Sequence, residues 1–302
     1  MPVTAPIANI ARGSLHDGPG VRTVIYFKGC VLRCQWCHNP ETFTAGKQIL
    51  FSAVKCIHCG ACVETCPEHH AVRGEELVFR REGCIACGKC AENCPSLALS
   101  LCGEEKTAEE LWAQIRKDLH YYLVSGGGVT FSGGECLLYP QIVAEVAEKC
   151  KAEKIHTAVE SAFYVPWEHV ERVIPSVDLF FADLKIPDSQ KHRRFTGREN
   201  GLILDNVRRL SKIHPHSIIR IPVIPGVNDS REDMEGFAEI ICSLGEGVKE
   251  IELLRYNHLA EAKYALSGET YRKFADAPQE KEEMEKHCML LSEKCGRHCF
   301  CI

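Results

Sequence analysis

The sequence lacks an excess of positive charge, and it lacks any long apolar run. With 36 lysines and arginines against 41 aspartates and glutamates, the chain has a formal net charge of −5. Its basic residues are scattered among acidic ones, so we expect no nucleic-acid partner. The most apolar stretches, such as residues 217–225, are broken by arginine or proline and fall far short of the roughly 20 residues that span a bilayer. The sequence therefore predicts no membrane segment.

The sequence also begins without the charged and apolar regions of a secretory leader. This matters because the chain has 19 cysteines, which in a short secreted protein would indicate a disulfide scaffold. In a chain of 302 residues without a leader, we expect instead a reducing compartment, the cytoplasm. A hydrophobic content of 45% is ordinary for a globular protein with a buried core.

Three cysteines stand close together directly after a strand-like run at residues 21–27. Cys30, Cys34 and Cys37 have the spacing C-x3-C-x2-C, so their thiolates can all reach one metal centre. A [4Fe-4S] cluster normally takes four cysteines, and a compact set of three leaves one iron open to another ligand. A zinc site and buried free thiols are the alternatives, but the chain offers no convincing fourth zinc ligand nearby.

Two further cysteine runs lie between about residues 50 and 103. Each has the spacing C-x2-C-x2-C-x3-C followed by proline, the pattern of bacterial ferredoxins with two clusters, in which the fourth cysteine of each run ligates the other cluster. The pattern predicts one cluster on Cys56, Cys59, Cys62 and Cys94 and a second on Cys84, Cys87, Cys90 and Cys66. These clusters could carry electrons or only stabilise a segment with few apolar residues, and the sequence leaves both roles open.

The rest of the chain alternates helix-like and strand-like stretches, which is typical of a parallel α/β sheet. After residues 21–27, strands are predicted at 129–131, 155–159, 177–182, 217–221 and 248–253. Helices are predicted from a capping box at residues 107–110 toward Tyr122, over 139–153 and over 278–292.

Unusual residues follow several of these strands. They are the three-cysteine loop, Gly133-Gly134-Glu135, Glu160-Ser161, Asp183-Leu184-Lys185 and residues 255–258. Because the βα loops of a parallel barrel converge at one edge, we expect these residues to share a site.

The motifs resemble those of a known family. The C-x3-C-x2-C run with an aromatic residue before its last cysteine is similar to that of the radical S-adenosylmethionine (SAM) enzymes, in which SAM binds the open iron. Residues 14–22 (SLHDGPGVR), 37–41 (CHNPE) and 126–135 (GGGVTFSGGE) narrow the resemblance to the glycyl-radical-enzyme activating enzymes, over nearly the whole chain. The resemblance implies a partial (βα)6 radical SAM barrel in residues 1–49 and 104–302, with a ferredoxin-like insertion at 50–103.

The resemblance also implies a reaction and its cofactors. SAM would be cleaved reductively to a 5′-deoxyadenosyl radical, which takes a hydrogen atom from a backbone glycine of a partner glycyl radical enzyme. Three [4Fe-4S] clusters, SAM and a monovalent cation are implied, together with an electron donor such as flavodoxin or ferredoxin and a monomeric state. A radical SAM enzyme that acts on a small molecule and a pure electron-transfer ferredoxin are the alternative functions.

Further residues gain roles from the resemblance. Gly133, Gly134 and Glu135 would bind the methionine part of SAM, because close approach needs glycine and an ammonium group needs acceptors. A phosphate-binding loop is disfavoured, since no Gly-Lys-Ser/Thr follows and the loop ends in an acid. Trp36 would flank the adenine, and its alternative is an ordinary core aromatic.

Charged residues at the strand ends would complete the SAM site. Glu160, Ser161 and Asp183 match positions that hold a monovalent cation in related enzymes, and Lys185 and Arg220 match positions beside the carboxylate or ribose of SAM. Solvated or paired charges at strand ends are the alternative for each of these residues.

Three other features each allow two interpretations. Asp17 matches a residue that holds the partner's glycine loop, although Asp-Gly-Pro-Gly is also good material for a plain turn. Short family members have Pro-Tyr-His after the last strand, whereas this chain has Arg255-Tyr256-Asn257-His258, so either Asn257 or His258 is expected to contact SAM. The tail cysteines fit no spacing that we can interpret, so a further metal site and free thiols both stay open for Cys288, Cys295, Cys299 and Cys301.

Overall fold

The computed structural model describes residues 2–74 and 76–302, and within them thirteen strands and eleven α-helices. The strands are β1 Thr4–Ser14, β2 Arg22–Phe27, β3 Gln48–Phe51, β4 His70–Arg73, β5 Glu76–Phe79, β6 Leu99–Cys102, β7 Glu104–Thr107, β8 Gly128–Gly133, β9 His156–Ser161, β10 Leu179–Asp183, β11 Ser217–Pro222, β12 Val248–Leu254 and β13 His298–Cys301. The helices are α1 Ala61–Thr65, α2 Lys89–Glu92, α3 Ala108–Ile115, α4 Leu119–Ser125, α5 Pro140–Ala152, α6 Trp167–Val173, α7 Ser189–Thr196, α8 Gly201–Ile213, α9 Arg231–Cys242, α10 Glu261–Ser267 and α11 Lys281–Cys295.

A nine-stranded mixed sheet forms the centre of the molecule, in the order β13-β12-β11-β10-β9-β8-β2-β1-β7. The strands from β2 to β13 in this order pair in parallel, whereas β1 pairs antiparallel with both β2 and β7. All six predicted strands lie in the parallel part, in chain order, so the predicted parallel α/β sheet is confirmed. None of the described helices is both long and apolar enough to cross a membrane.

Three strands of this sheet were not predicted. β1 lacks a regular alternation of apolar and polar residues. Its pairing register with β2 is irregular between Ile7 and Asn9 and again between Arg12 and Ser14, which interrupts the period of two. β7 and β13 are only four residues long, and each gains its strand character from pairing with a longer neighbour. The helix predicted from residue 107 does begin with a capping box between Thr107 and Glu110, but it is broken into α3 and α4.

Contacts between distant loops indicate that the parallel sheet curves. Four strands separate β2 from β12, which would place them roughly 24 Å apart in a flat sheet. Yet the Nε2 atom of His38, in the loop after β2, lies 3.0 Å from the carbonyl oxygen of Asn257 after β12. Lys263 of α10 also donates a hydrogen bond of 2.7 Å to the Oδ1 atom of Asn39. The carboxyl edge of the sheet therefore surrounds a common space.

The segment that carries the two cysteine runs is closed by its own strands. β3 and β6 pair antiparallel, from Gln48 opposite Cys102 to Phe51 opposite Leu99, so the chain leaves and rejoins the barrel at one place. Between them lie the hairpin β4–β5 and the short helices α1 and α2, which contact each other. The predicted boundaries at residues 50 and 103 stay a prediction.

The junction of β2 and β8 depends on a glycine. A Cβ atom added at Gly127 would lie 1.9 Å from the carbonyl oxygen of Val21, and backbone cannot move away as a flexible side chain can. We expect Gly127→Ala to destabilise the fold by at least about 3 kcal/mol and to lower the apparent unfolding temperature of the anaerobic protein. Gly201→Ala is the control, because a Cβ at this helical position meets nothing within 4 Å. Equal unfolding temperatures for both variants would contradict the close approach.

Candidate active site

The groups of unusual residues lie at one edge of the sheet, as predicted. The three-cysteine loop follows β2, Gly133 ends β8, Ser161 ends β9 and Asp183 ends β10. Residues 255–258 follow β12, and the parallel register brings all of these ends to the same side. The expectation that they are near one another is therefore confirmed for the backbone, and the side chains decide what each of them does.

The three-cysteine loop is held by backbone hydrogen bonds to α7. Arg33 donates its N–H to the Thr196 carbonyl (2.7 Å), and Gln35 donates to the Phe195 carbonyl (3.1 Å). The Trp36 ring is 6% exposed and packs against Phe195 and Phe274, with ring centroids 6.5 and 6.2 Å away. Trp36 thus has the surroundings of a core aromatic, and its contact with adenine stays a prediction.

The three thiols of this loop are buried and electrostatically coupled. Burial, together with the charge of a neighbouring thiolate within the set, raises the pKa of Cys30, Cys34 and Cys37 to about 12 in each case. The Asn39 N–H donates to the Cys37 sulfur at 3.4 Å. Buried thiols ionise only beside compensating positive charge, and iron supplies it. Soft donors in this arrangement fit an iron–sulfur cluster.

The Gly-Gly-Glu loop lies against the start of the cysteine loop. Gly134 donates its N–H to the Phe27 carbonyl (2.9 Å), and Glu135 donates to the Gly29 carbonyl (2.8 Å). A Cβ at Gly133 would lie 2.3 Å from the Phe27 nitrogen, and one at Gly134 would lie 2.3 Å from the Gly29 oxygen. Both glycines are therefore required by contact between the two loops, a reason that the sequence did not reveal.

The Glu135 carboxylate is buried at the centre of these loops. Its Oε1 accepts from Ser161 Oγ (2.8 Å) and from the Leu137 N–H (3.2 Å), and its Oε2 accepts from the Ala162 N–H (3.1 Å). Burial raises the pKa of Glu135 to about 7 despite these hydrogen bonds. The carboxylate therefore ties β8 to the end of β9, and its ionisation is finely balanced near neutral pH.

A chain of buried charges crosses the interior of the curved sheet. Ser132 Oγ donates to Glu160 (2.6 Å), Arg220 donates to the other oxygen of Glu160 (2.7 Å), and the Nε atom of Arg220 donates to Glu252. The guanidinium also stacks on the Phe181 ring, 3.9 Å from its centroid. Burial works against ionisation of Glu160, but Arg220 outweighs it and lowers the pKa of this carboxylate.

Asp183 and Lys185 form a second buried pair beside the thiols. Lys185 Nζ donates to Asp183 Oδ2 at 2.9 Å. Burial lowers the pKa of Lys185, but the charges of Asp183 and Cys34 outweigh it, so the net shift is upward and the ammonium stays charged. Burial raises the pKa of Asp183, and its Oδ1 atom has no hydrogen-bond partner among the described residues.

The structure distinguishes Asn257 from His258. The exposed Asn257 uses its Oδ1 to accept the N–H of Leu259 (2.8 Å), so its amide oxygen closes a turn. The Nδ1 atom of His258 is buried and has no hydrogen-bond partner in the described part of the chain. Of the two residues, His258 has the side-chain atom that still needs a partner.

Asp17 lies at the opposite edge of the sheet, in the loop before β2. Its carboxylate accepts a hydrogen bond from Ser14 Oγ, and its carbonyl accepts one from Thr130 Oγ1 (2.6 Å). The buried Arg22 braces this loop by donating to the Pro19 carbonyl (3.0 Å). Residues on both sides of Asp17 line a cavity of about 380 Å³ inside the curved sheet, together with Arg220 from the charge chain.

Cysteines from both of the further runs lie near one another, and their crossed assignment to two clusters stays a prediction. One cavity is lined by all four members of the first set, Cys56, Cys59, Cys62 and Cys94. In the second set, burial raises the pKa of Cys90, and charges on Cys84 and Cys66 raise it further.

The two runs also share a backbone conformation. Their second residues after the first cysteine, His58 and Ala86, have φ of 56° and 50°, and both runs have a left-handed glycine, Gly60 and Gly88, before a short helix. The repeat in sequence is therefore a repeat in structure.

The tail cysteines lie around the last helix and strand. Cys288, Cys299 and Cys301 line one cavity between α11 and β13. Among the residues that the structure describes, no group of three or more His, Cys, Asp or Glu side chains could hold a metal ion. A [4Fe-4S] cluster differs from a single metal ion in this respect. Each of its four irons takes one cysteine, so the four cysteines need not converge on one point.

Sequence reasoning missed several residues of this site, above all Glu252. Strand register supplies the signal: Asp183, Arg220 and Glu252 lie side by side on β10, β11 and β12. Ser132 was noted only as part of a motif, and Tyr264 not at all. Tyr264 lines a cavity together with Cys34, and burial and the charges of Cys37 and Cys34 raise the pKa of its hydroxyl.

Comparison with known proteins gives the family. A sequence model of the radical SAM superfamily matches residues 24–239. The chain is 41% identical to the (2S)-3-sulfopropanediol dehydratase activating enzyme of Klebsiella oxytoca, over 97% of this chain and 95% of that protein. It is 40% identical to the trans-4-hydroxy-L-proline dehydratase activating enzyme of Clostridioides difficile, over 93% and 92% of the two chains.

A solved structure supports the fold. The crystal structure of a radical SAM methyltransferase from Sphaerobacter thermophilus matches with a TM-score of 0.56 at 13% identity, over 99% of this chain and 77% of that chain. At this identity the likeness concerns the fold alone, and it confirms a radical SAM α/β fold with a mixed sheet. By its sequence relatives and its superfamily match, the chain belongs to the glycyl-radical-enzyme activating enzymes of the radical SAM superfamily.

Proposed function

We propose that this protein uses SAM and a [4Fe-4S] cluster to install a glycyl radical on a separate glycyl radical enzyme. The observation that carries the proposal is the contact of the Gly-Gly-Glu loop with a loop of three buried, coupled thiols. When bound, the cluster and SAM supply a one-electron cleavage that yields methionine and a 5′-deoxyadenosyl radical, which takes hydrogen from a glycine Cα. The chain itself holds, orients and shields the reacting groups.

Cys30, Cys34 and Cys37 would each ligate one iron and leave the fourth iron for SAM. The ammonium of Lys185 favours ionisation of Cys34 and Cys37, which supports their use as thiolates. Trp36 and the aromatic residues around it would keep water from this side of the cluster, because the ring is buried among Phe195 and Phe274.

Buried polar side-chain atoms that lack a hydrogen-bond partner would contact SAM. Among the described residues, these include an acceptor on Asp183 (Oδ1), a donor on Arg220 (Nη2) and a ring nitrogen of His258 (Nδ1), which donates or accepts according to its tautomer. SAM carries ammonium, sulfonium, carboxylate and ribose hydroxyl groups, so it can satisfy both kinds of atom. We assign the contact after the last strand to His258 rather than Asn257. Asp183 with Glu160 and Ser161 would also supply oxygens for a monovalent cation.

We propose that the insertion is a ferredoxin-like relay with two [4Fe-4S] clusters. Its inner group is Cys66, Cys84, Cys87 and Cys90, because Arg81 near Cys84 donates to the Leu266 carbonyl of α10 (2.7 Å). The same helix carries Tyr264, which lines a cavity together with Cys34. A path from the inner group to the catalytic thiols therefore runs along α10, whereas a purely structural insertion would need no such path.

Cys34→Ala should abolish reductive SAM cleavage and lower iron from roughly 12 to about 8 atoms per chain, because one of three clusters loses a ligand. Iron analysis and 5′-deoxyadenosine release measure the two effects. Cys150→Ala, which alters a buried cysteine far from any predicted cluster, should keep all the iron. Wild-type iron near 4 per chain, with zinc present, would contradict the assignment of the insertion.

Glu135→Gln should weaken SAM binding at pH 8 by roughly 1.5–3 kcal/mol, because a charge that favours the ammonium is removed. In the wild type the pKa of Glu135 is about 7, so lowering the pH from 8 to 6 protonates the carboxylate. SAM should then bind roughly tenfold more weakly at pH 6 than at pH 8, and the variant should lose this difference. Titration of SAM at both pH values, with iron content as control, measures the effect.

Two outcomes would oppose this role for Glu135. A dissociation constant that the substitution leaves unchanged would mean that the carboxylate serves only Ser161, Leu137 and Ala162. A pH dependence that survives in Glu135→Gln would assign the titration to another group.

Asp17→Ala should keep the clusters and SAM cleavage but lose most of the glycyl radical on the partner. Its carboxylate can accept N–H groups of an extended glycine loop and fix the Cα near the reacting carbon, and small misplacements are costly in rate. Electron paramagnetic resonance of the partner, read beside 5′-deoxyadenosine release, measures the split.

Ser14→Ala is the matched control for Asp17→Ala. It removes the hydrogen bond that the Asp17 carboxylate accepts within the loop but leaves the carboxylate itself. If both variants lose radical yield equally, the carboxylate only maintains the turn. If neither loses it, the partner is recognised elsewhere.

A further inference from the structure

One buried hydroxyl near the catalytic thiols has no role in the site described above. It belongs to Tyr264 of α10, a residue that is only 4% exposed. The hydroxyl oxygen is shielded from solvent and has no hydrogen-bond partner among the residues that the structure describes. Buried tyrosine hydroxyls ordinarily form a hydrogen bond, because burying a polar group without one is costly. The hydroxyl of Tyr264 therefore calls for a partner other than these residues.

Tyr264 packs against the first part of the three-cysteine loop. Its ring meets the Phe43 ring edge to face, with the centroids 6.5 Å apart. The carbonyl of Phe43 accepts the N–H of Cys30 at 3.4 Å. Tyr264 and Cys34 also line one cavity of about 270 Å³. Two of the three catalytic cysteines are thus linked to the surroundings of Tyr264 by direct geometry.

The residue before Tyr264 connects α10 to the third cysteine. Lys263 Nζ donates a hydrogen bond of 2.7 Å to Asn39 Oδ1, and Asn39 donates its N–H to the Cys37 sulfur at 3.4 Å. Lys263 Nζ also lies 3.6 Å from a carboxylate oxygen of Glu41. The helix is therefore held against both ends of the cysteine loop, which fixes the position of Tyr264 beside it.

The Tyr264 hydroxyl is a donor at neutral pH. Tyrosine ionises at about pH 10 in water, and burial together with the charges of Cys37 and Cys34 raises the pKa of Tyr264. A [4Fe-4S] cluster on this loop would present sulfide and thiolate sulfurs as acceptors, and it gains one negative charge when it is reduced. Hydrogen bonds to the sulfurs are among the factors that set the reduction potential of such a cluster.

We propose that the Tyr264 hydroxyl donates a hydrogen bond to a sulfur of the cluster on the three-cysteine loop and makes this cluster easier to reduce. This rests on the proposed function, in which Cys30, Cys34 and Cys37 hold that cluster. The donor stabilises the reduced cluster more than the oxidised one, because the reduced cluster is more negative. In the step, one electron passes from an external reductant to the cluster, the proton stays on Tyr264, and no covalent bond forms or breaks.

Tyr264→Phe tests the proposal, because it removes the hydroxyl and keeps the ring that packs on Phe43. The equilibrium constant for one-electron reduction of this cluster should fall roughly three- to tenfold, the effect of losing one hydrogen bond. A redox titration of the holoprotein without SAM, followed by electron paramagnetic resonance, measures the change. The signal of this cluster is identified as the one that Cys34→Ala lacks.

Tyr122→Phe is the matched control. Tyr122 is also buried, at 2% exposure, but its hydroxyl donates to Thr23 Oγ1 near the start of β2. Its loss should leave the reduction equilibrium unchanged. A second measurement detects the hydrogen bond even if Tyr264→Phe holds less iron: exchange into D2O should shift the Fe–S vibrations of the wild type in resonance Raman spectra more than those of Tyr264→Phe.

Several results would overturn the inference. An unchanged reduction equilibrium in Tyr264→Phe, or equal losses in Tyr264→Phe and Tyr122→Phe, would show that the hydroxyl does not act on the cluster. A weaker affinity for SAM with an unchanged equilibrium would assign the hydroxyl to SAM, and a loss of iron with an unchanged deuterium shift would make it structural. Failure of the proposed function would look different, because Cys34→Ala would then keep every cluster signal of the wild type.

Discussion

The burial of three thiols beside one another is the constraint on which the site depends. Even with the Lys185 ammonium nearby, Cys30, Cys34 and Cys37 stay protonated at neutral pH without a metal centre, since burial raises the pKa of each to about 12. Backbone hydrogen bonds to α7 and to the Gly-Gly-Glu loop hold the loop in this buried position. The fold therefore prepares a set of donors that becomes favourable only when a cluster compensates their charge.

The charged residues inside the curved sheet leave a net negative charge there. Glu160, Asp183 and Glu252 are three carboxylates, and Arg220 and Lys185 are two cations. This leaves one net negative charge when all five are ionised, or two when Glu135, with a pKa of about 7, is ionised as well. SAM has two positive groups and one carboxylate, hence one net positive charge. Removing isolated charges from water is costly, so a ligand that neutralises this interior is favoured over one that adds to its charge.

The parts of the fold that follow local patterns were predictable. Each strand from β2 to β12 in the parallel part combines apolar residues with flanking turn or helix signals, and the capping box at Thr107 was readable directly. β13 was not, because a strand of four residues that contains two cysteines carries little local signal and depends on β12. The local sequence pattern thus predicts strands that have their own apolar pattern and flanking turn signals. It does not predict short strands that form only by pairing with a neighbouring strand.

The candidate site was predictable as a set of positions but not as a set of contacts. Motifs pointed to Glu135 and Arg220, yet only the register puts Glu252 beside Arg220, and only the three-dimensional structure reveals that Ser161 donates to Glu135. The proposed choice of His258 over Asn257 likewise rests on a turn that uses the Asn257 side chain, while the buried Nδ1 atom of His258 has no hydrogen-bond partner among the described residues. Contacts between side chains on different strands depend on which strands pair and in what register. The local sequence of a single strand does not specify this pairing.

The two ends of β2 set a geometric demand on the partner. The cysteine loop follows this strand and the Asp17 loop precedes it, and six residues of strand span roughly 20 Å. If Asp17 holds the partner's backbone, then a radical formed at the cysteine edge and a peptide held at the other edge must meet inside the sheet, near Arg220. The glycine would then have to reach roughly 10 Å into the interior, which takes at least about three extended residues on each side. A cavity of about 380 Å³ admits such a strand but not a folded domain. The architecture thus favours a partner whose glycine loop can leave its own fold before the reaction.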